Sequence, residues 1–176
     1  MNRRILILSV IVVIILAVFV FEKLQPPLEM HVLTILSRGG TEAGDNATDF
    51  ILESFNGTDI KLDSFIGKKA IVLHFWSLES AGELTQLQTV RNFFGDKVEI
   101  IGVYPEIDSS KARNAVKDMA LTFPMLIDPT GQAKQAYEVF ITPTTYFIDT
   151  SGVITDKKEG ALTEQELNEK LKLLIK

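Results

Sequence analysis

From residue 49 onward, the chain alternates between strand-like and helix-like patterns of apolar and polar residues. The run 70–76 is apolar apart from one histidine, which is typical of a central strand that is buried on both faces. Apolar residues spaced three and four apart predict amphipathic helices further along. Such alternation predicts an α/β fold. In chain order, the predicted elements are strand 70–76, helix 80–94, strand 98–103, helix 110–121, strand 123–127, helix 133–137, and strands 144–149 and 153–156.

Local signals mark both ends of this α/β region. Asn56-Gly57 lies between the apolar segments 50–52 and 60–62, and this dipeptide favours the turn of a β-hairpin. Thr163 and Glu166 have the spacing of a capping box, which predicts the start of a final helix. The inner face of that helix is predicted to carry Leu167, Leu171 and Leu174.

The amino-terminal segment has the features of a membrane anchor. Arg3 and Arg4 precede an apolar run over residues 5–21, which as a helix would span roughly 26 Å, close to the ~30 Å bilayer core. A cleaved signal peptide is the alternative, but no pair of small residues forms a cleavage site just before Glu22. We therefore predict a single-pass anchor over 1–22 in the cell membrane, with a cytoplasmic amino terminus. A tether over 23–47 and an extracytoplasmic domain over 48–176 would follow.

Charge and cysteine content exclude several functions. The formal charge is −5 overall and +2 over residues 1–26, so the remainder carries −7. An acidic body does not suit a nucleic-acid partner, which requires a basic surface to neutralise phosphates. The chain contains no cysteine, which excludes a disulfide, a thiolate nucleophile, an iron–sulfur cluster and a thiolate zinc site. We predict neither a cofactor nor a metal ion.

Several strings, taken in order, resemble a known family. They are Asp49-Phe50, Phe75-Trp76, the segment 123–128 (FPMLID) and the segment 142–149 (TPTTYFID). From Gly44 to the carboxyl end, the chain resembles the redoxin (AhpC/TSA) group of the thioredoxin superfamily, and in particular the membrane-anchored TlpA/ResA-type thiol-disulfide oxidoreductases. The resemblance implies a thioredoxin-like three-layer sandwich with a central mixed sheet and an amino-terminal hairpin extension. It also implies a cis peptide bond before Pro143, in a loop whose backbone pairs with an extended substrate polypeptide.

The chain departs from this family at the residues that carry its chemistry. In those oxidoreductases a Phe-Trp pair leads into Cys-x-x-Cys at the start of a helix. Counted from Phe75-Trp76, the two cysteine positions fall on Ser80 and Glu83. Neither side chain can form a disulfide, so we assign no catalytic residue at these positions.

The remaining interpretation is a binding groove beside the Pro143 loop. Pro105-Glu106 follows a central strand, at the sheet edge where α/β proteins bind ligands. We therefore predict a redox-inactive protein that binds an exported or membrane polypeptide or scaffolds a membrane complex. The residues predicted to form the groove are Trp76, Glu79, Ser80, Glu106, Thr142 and Pro143.

An enzyme without thiol chemistry is the alternative function. It would use Ser80 as a nucleophile with Glu79, Glu83 or Glu106 nearby, and a serine nucleophile needs a base within hydrogen-bond reach. The simpler interpretations are that Ser80 caps the helix 80–94 and that the acidic residues favour its amino-terminal dipole. For His74, a half-buried and hydrogen-bonded place in the core is the simpler interpretation.

Overall fold

The computed structural model describes residues 39–175, which form seven strands and four α-helices. Short 3₁₀ helices lie at Leu62–Ser64 and Gly95–Lys97. The strands are β1 (Ile51–Glu53), β2 (Asp59–Lys61), β3 (Ala70–Phe75), β4 (Val98–Tyr104), β5 (Met125–Ile127), β6 (Thr144–Ile148) and β7 (Ile154–Glu159). The helices are α1 (Glu83–Phe94), α2 (Ser110–Val116), α3 (Gln132–Ala136) and α4 (Glu164–Leu174).

Five strands form one mixed sheet in the order β5-β4-β3-β6-β7. β3 and β4 are parallel, as are β4 and β5, whereas β6 is antiparallel to both of its neighbours. Every residue of β3 and β4 is buried, which explains their nearly continuous apolar sequences. The predicted α/β fold with a central mixed sheet is therefore confirmed.

The two faces of the sheet pack against different layers. Because side chains alternate along a strand, Val72 of β3 lies in one core and Leu73 in the other. The core around Val72 includes residues of α1, α2 and α4. The core around Leu73 includes residues of α3 together with Leu52 of the hairpin. This arrangement is the three-layer sandwich that the family resemblance implies.

The predicted hairpin is present as a separate two-stranded sheet. β1 and β2 are antiparallel, and Ile51 lies opposite Lys61. Gly57 has a φ of +85°, a left-handed conformation that glycine adopts without strain. The backbone N–H of Ser54 donates to the carbonyl oxygen of Thr58 at 2.8 Å, which closes the loop. A β-bridge between Ser54 and Leu126 attaches the hairpin beside β5.

Two predicted helix boundaries are wrong by three residues or more. The helix predicted over 80–94 begins only at Glu83, after a series of turns. The helix predicted over 110–121 ends at Val116, and Ala120 adopts a left-handed φ of +49° that a continuous helix cannot contain. Among the strands, the one predicted to begin at residue 123 begins at Met125, because Pro124 has no N–H for the ladder.

The final helix agrees with its prediction. Thr163 is the N-cap of α4, and its hydroxyl accepts a hydrogen bond from the N–H of Glu166 while the Glu166 carboxylate accepts from the N–H of Thr163. This reciprocal pair is the predicted capping box. The three inner leucines of α4 are buried in the core.

The predicted membrane anchor over 5–21 and most of the predicted tether lie outside the described residues. Within residues 39–175 there is no helix that is long and apolar enough to cross a bilayer. At the end of the predicted tether, the N–H of Gly44 donates to Ile154 O and the N–H of Ala47 donates to Gly152 O, both at 2.8 Å. These residues are thus hydrogen-bonded to the start of β7.

Candidate functional site

The strand order brings the predicted site residues to one edge of the sheet. Phe75, the last residue of β3, pairs with Val103 on one side and with Thr144, the first residue of β6, on the other. The segment after β3 therefore lies between the loop after β4 and the loop before β6. Neighbouring strands are about 4.8 Å apart, so the two flanking loops leave the sheet within about 10 Å of each other. Glu106 is in the first of these loops and Pro143 in the second.

Hydrogen bonds within the loop before β6 and from the residue after β7 hold this loop in place. The Thr142–Pro143 peptide bond is cis. The Pro143 carbonyl oxygen accepts from the N–H of Gly160 at 2.8 Å, and the Thr144 hydroxyl donates to Ile141 O at 2.8 Å. Within residues 39–175, neither the N–H nor the C=O of Thr142 makes a hydrogen bond. Thr142 and Pro143 are both half-buried, so this loop reaches the protein surface.

Ser80 is part of a turn and does not cap α1, so the predicted capping role is wrong. The N-cap is Gly82, which has helical φ and ψ angles of −60° and −29° and provides no side-chain cap. The Ser80 hydroxyl instead accepts from the N–H of Ser77 at 2.9 Å and donates to Ser77 O at 3.2 Å. The N–H of Glu83 then donates to Ser80 O at 3.0 Å. Tight turns occupy the residues between Ser77 and Glu83, so the helix begins only at Glu83.

This arrangement does not activate Ser80 as a nucleophile. Its hydroxyl proton is directed at a carbonyl oxygen, which cannot act as a base. The Glu83 carboxylate accepts from the N–H of Leu162 at 3.4 Å, and partial burial raises its pKa. Glu79 is exposed, and hydrogen bonds from its own N–H and from the Ser77 hydroxyl lower its pKa. Of the described carboxylates, none is hydrogen-bonded to the Ser80 hydroxyl.

His74 is fully buried in β3, and not half-buried as predicted. Its Nδ1 lies 2.8 Å from the hydroxyl oxygen of Thr145, whereas its Nε2 has no hydrogen-bond partner within the described part of the chain. Burial lowers the pKa of His74 to about 4, so the imidazole is neutral at physiological pH. Its hydrogen bond to Thr145 places it in the core, as predicted, and it makes no bond to Ser80.

The floor of the site is aromatic, and Tyr104 was not among the predicted residues. Trp76 has no exposed surface, and its ring centroid lies 5.0 Å from that of Tyr104. A side chain at Gly102 would meet the Met125 sulfur at 2.7 Å, so glycine leaves room for the packing beside Trp76. Trp76 therefore packs in the interior beside Tyr104. It presents no surface to a partner, although it was predicted to form part of the groove. The position of Tyr104 directly before Pro105 was the sequence signal that could have identified it.

Three carboxylates influence the pKa of the Tyr104 hydroxyl. Burial raises the pKa of this hydroxyl, and three nearby carboxylates raise it further, those of Glu106, Asp108 and Glu79. Glu79 and Glu106 come from the segments after β3 and after β4, so the structure brings together two of the predicted groove residues. The site is therefore acidic on the β4 side of Ser77–Ser80.

A groove lies on another surface of the described domain. A groove of about 580 Å³ runs between α1 and α4, and none of the predicted site residues lines it. Its lining includes the strongly exposed ring of Phe93.

Comparison with known proteins identifies the family. The AhpC/TSA family matches residues 43–157. The thioredoxin-like protein YneN of Bacillus subtilis is 32% identical over 140 residues, which cover 76% of this chain and 81% of YneN. The thiol-disulfide oxidoreductase ResA of Bacillus thuringiensis is 30% identical over 135 residues, covering 74% of this chain and 78% of ResA.

A solved structure shares the same fold. The structure of a Chlorobium tepidum protein described as a thiol:disulfide interchange protein DsbE superimposes with a TM-score of 0.72 at 20% identity, and covers 78% of this chain and 100% of the other. This likeness supports the thioredoxin-like architecture described above. None of the 176 residues is a cysteine, so the sulfur needed for dithiol–disulfide exchange is missing. The chain belongs to the AhpC/TSA family.

Proposed function

We propose that this chain is a redox-inactive binding protein that holds an extended polypeptide segment against the loop at Thr142–Pro143. One observation carries the proposal: within residues 39–175 the backbone N–H and C=O of Thr142 make no hydrogen bond, while the positions that match the family's cysteine pair hold Ser80 and Glu83. Free main-chain groups in this loop are suited to an extended peptide, because backbone hydrogen bonds to the peptide would then supply affinity.

The chemistry of the two substituted positions supports binding without turnover. A relative is named a thiol-disulfide oxidoreductase, and that reaction requires two thiols. In this chain the Ser80 hydroxyl is occupied by two bonds to Ser77, and the Glu83 carboxylate is directed at Leu162. The same contacts are why we do not propose a serine-based enzyme at this site.

The predicted anchor over residues 5–21 suggests where the partner would be found. An anchored domain on the outer face of the cell membrane would meet exported and membrane polypeptides. Anchoring raises the effective concentration of the site near such partners, so weak binding suffices. A scaffold for a membrane complex would use the same edge.

The test uses a matched pair of threonine variants. Thr142→Arg puts a bulky charged side chain at the proposed edge, and Thr150→Arg makes the same change at an exposed position beyond the far end of β6. Binding of unfolded polypeptides to the full chain in nanodiscs is measured by fluorescence anisotropy. We expect Thr142→Arg to weaken binding about tenfold or more and Thr150→Arg to leave it unchanged. Equal affinities for both variants and the original chain would contradict the proposal.

A further inference from the structure

Large apolar side chains are exposed on both loops that flank the site. Ile107, in the loop after β4, is 86% exposed, and Phe140 and Ile141, just before the Thr142–Pro143 bond, are 82% and 51% exposed. Because β3 lies between β4 and β6, these side chains stand on either side of the Ser77–Ser80 segment. Exposed apolar groups gathered at one edge are typical of a binding surface.

The charge of the same edge is negative. Glu79 follows β3, and Glu106 and Asp108 follow β4, so these three carboxylates lie beyond the same ends of two neighbouring parallel strands. Within residues 39–175, none of these three carboxylates makes a salt bridge. Hydrogen bonds from Ser110 lower the pKa of Asp108, and Lys111 lowers it further. Taken together, these three carboxylates and Lys111 carry a net negative formal charge.

We propose that the occupant of this edge is an extended polypeptide segment in which large apolar side chains lie next to lysine or arginine. This inference rests on the proposed function and adds the chemistry of the partner. The apolar side chains would cover Ile107, Phe140 and Ile141, and the cations would face Glu79 and Glu106. Complementary charge also speeds encounter and disfavours acidic partners.

Other occupants fit this edge less well. The apolar side chains could insert into an anionic lipid surface, but the carboxylates would be repelled by its head groups. Membrane binding of this kind normally relies on basic residues. A second copy of the chain would bring the same negative charge to the interface. A basic, partly apolar polypeptide satisfies both features together.

The test compares short unstructured peptides that differ in one property at a time. One peptide combines leucine with lysine, a second replaces lysine with glutamate, and a third replaces leucine with serine. Binding to the full chain in zwitterionic-lipid nanodiscs is measured by fluorescence anisotropy, with empty nanodiscs as the blank. We expect the leucine–lysine peptide to bind about tenfold more tightly than either of the others, and high salt to reduce its advantage over the glutamate peptide.

Variants with matched controls assign any preference to the proposed residues. The pair Glu79→Gln/Glu106→Gln should remove the preference for lysine, whereas Glu53→Gln, at an exposed position in β1, should not. Phe140→Ser should remove the preference for leucine, whereas Phe93→Ser, at an 81% exposed ring on the α1–α4 surface, should not. All five side chains are exposed, so these variants should fold.

The outcomes distinguish a failure of the proposed partner chemistry from a failure of the proposed function. If all three peptides bind equally and Thr142→Arg weakens each of them, the edge binds polypeptides but the proposed partner chemistry is wrong. If none of the peptides binds, both proposals fail. If the chain without its partner binds anionic vesicles through Phe140, the edge is a membrane contact and this inference is overturned.

Discussion

Positions 80 and 83 are close enough to be bridged by sulfur. The hydrogen bond from Glu83 N–H to Ser80 O closes a tight turn at 3.0 Å, and residues three apart in such turns have Cα atoms within about 7 Å. Disulfides span Cα distances of about 4.4–6.8 Å. We therefore expect the double variant Ser80→Cys/Glu83→Cys to form an internal disulfide on oxidation. With dithiothreitol as the electron source, it should also accelerate the reduction of insulin in a turbidity assay.

The control for this variant is Ser77→Cys/Glu83→Cys, which moves one thiol to the start of the turn. We expect slower disulfide formation in the control, because six residues and two turns separate its thiols. Mass spectrometry after alkylation counts the free thiols in each protein. A folded Ser80→Cys/Glu83→Cys protein that keeps both thiols free under oxidant would show that the turn is not as described.

Protonation of His74 should make stability depend on pH. Burial lowers its pKa from 6.5 to about 4, so the unfolded chain binds a proton at a pH where the folded chain does not. The stabilising term is complete above pH 6.5 and is lost as the pH falls towards 4, with a total of about 3 kcal/mol. Urea unfolding of the original chain and of His74→Gln at pH 7 and near pH 4 measures this term. Equal losses in the two proteins would contradict it.

At the scale of the element, the cap of α4 offers a defined test. Thr163→Ala removes the hydroxyl that accepts from the N–H of Glu166, and losing such a cap costs about 1 kcal/mol. We expect the free energy of unfolding in urea to fall by that amount. Thr163→Ser keeps the hydroxyl and should retain most of the stability. An alanine variant as stable as the original would show that the cap contributes nothing.

Elements were predictable where one local cause determines them. The nearly continuous apolar runs of β3 and β4 and the capping box of α4 each contain their own signal, and the structure confirms them. The start of α1 was not predictable, because Gly82 begins the helix without a side-chain cap and Ser80 bonds back to Ser77. Beyond the end of α2, Ala120 adopts a left-handed conformation that its residue type does not predict.

At the scale of the whole molecule, topology made part of the site predictable. Glu106 and Thr142 lie far apart in sequence, yet both adjoin strand ends at one edge, and that placement follows from the strand order. The burial of individual side chains was harder to predict, because it depends on which distant parts of the chain pack against them. Trp76 is completely covered and His74 loses all contact with solvent, although both precede the site directly in sequence.

The two cores should unfold as one unit because they share a sheet. Val72 and Leu73 are adjacent in β3 but belong to opposite cores, so neither core can separate without disrupting the same strand. Trp76 is the only tryptophan and lies within the first core, so its fluorescence reports on that side. We expect the urea transitions followed by tryptophan emission and by far-UV circular dichroism to coincide, as two-state unfolding requires.

A variant in the opposite core tests whether the two cores unfold together. Leu73→Ala leaves the first core intact but removes a fully buried side chain, at a cost of about 2–5 kcal/mol. If the domain is one cooperative unit, the Trp76 transition must shift to lower urea by the same amount as the circular dichroism transition. A Trp76 transition at an unchanged urea concentration would mean that the sheet does not couple its two faces. Destabilisation of the opposite core would then leave the acidic edge near Trp76 folded.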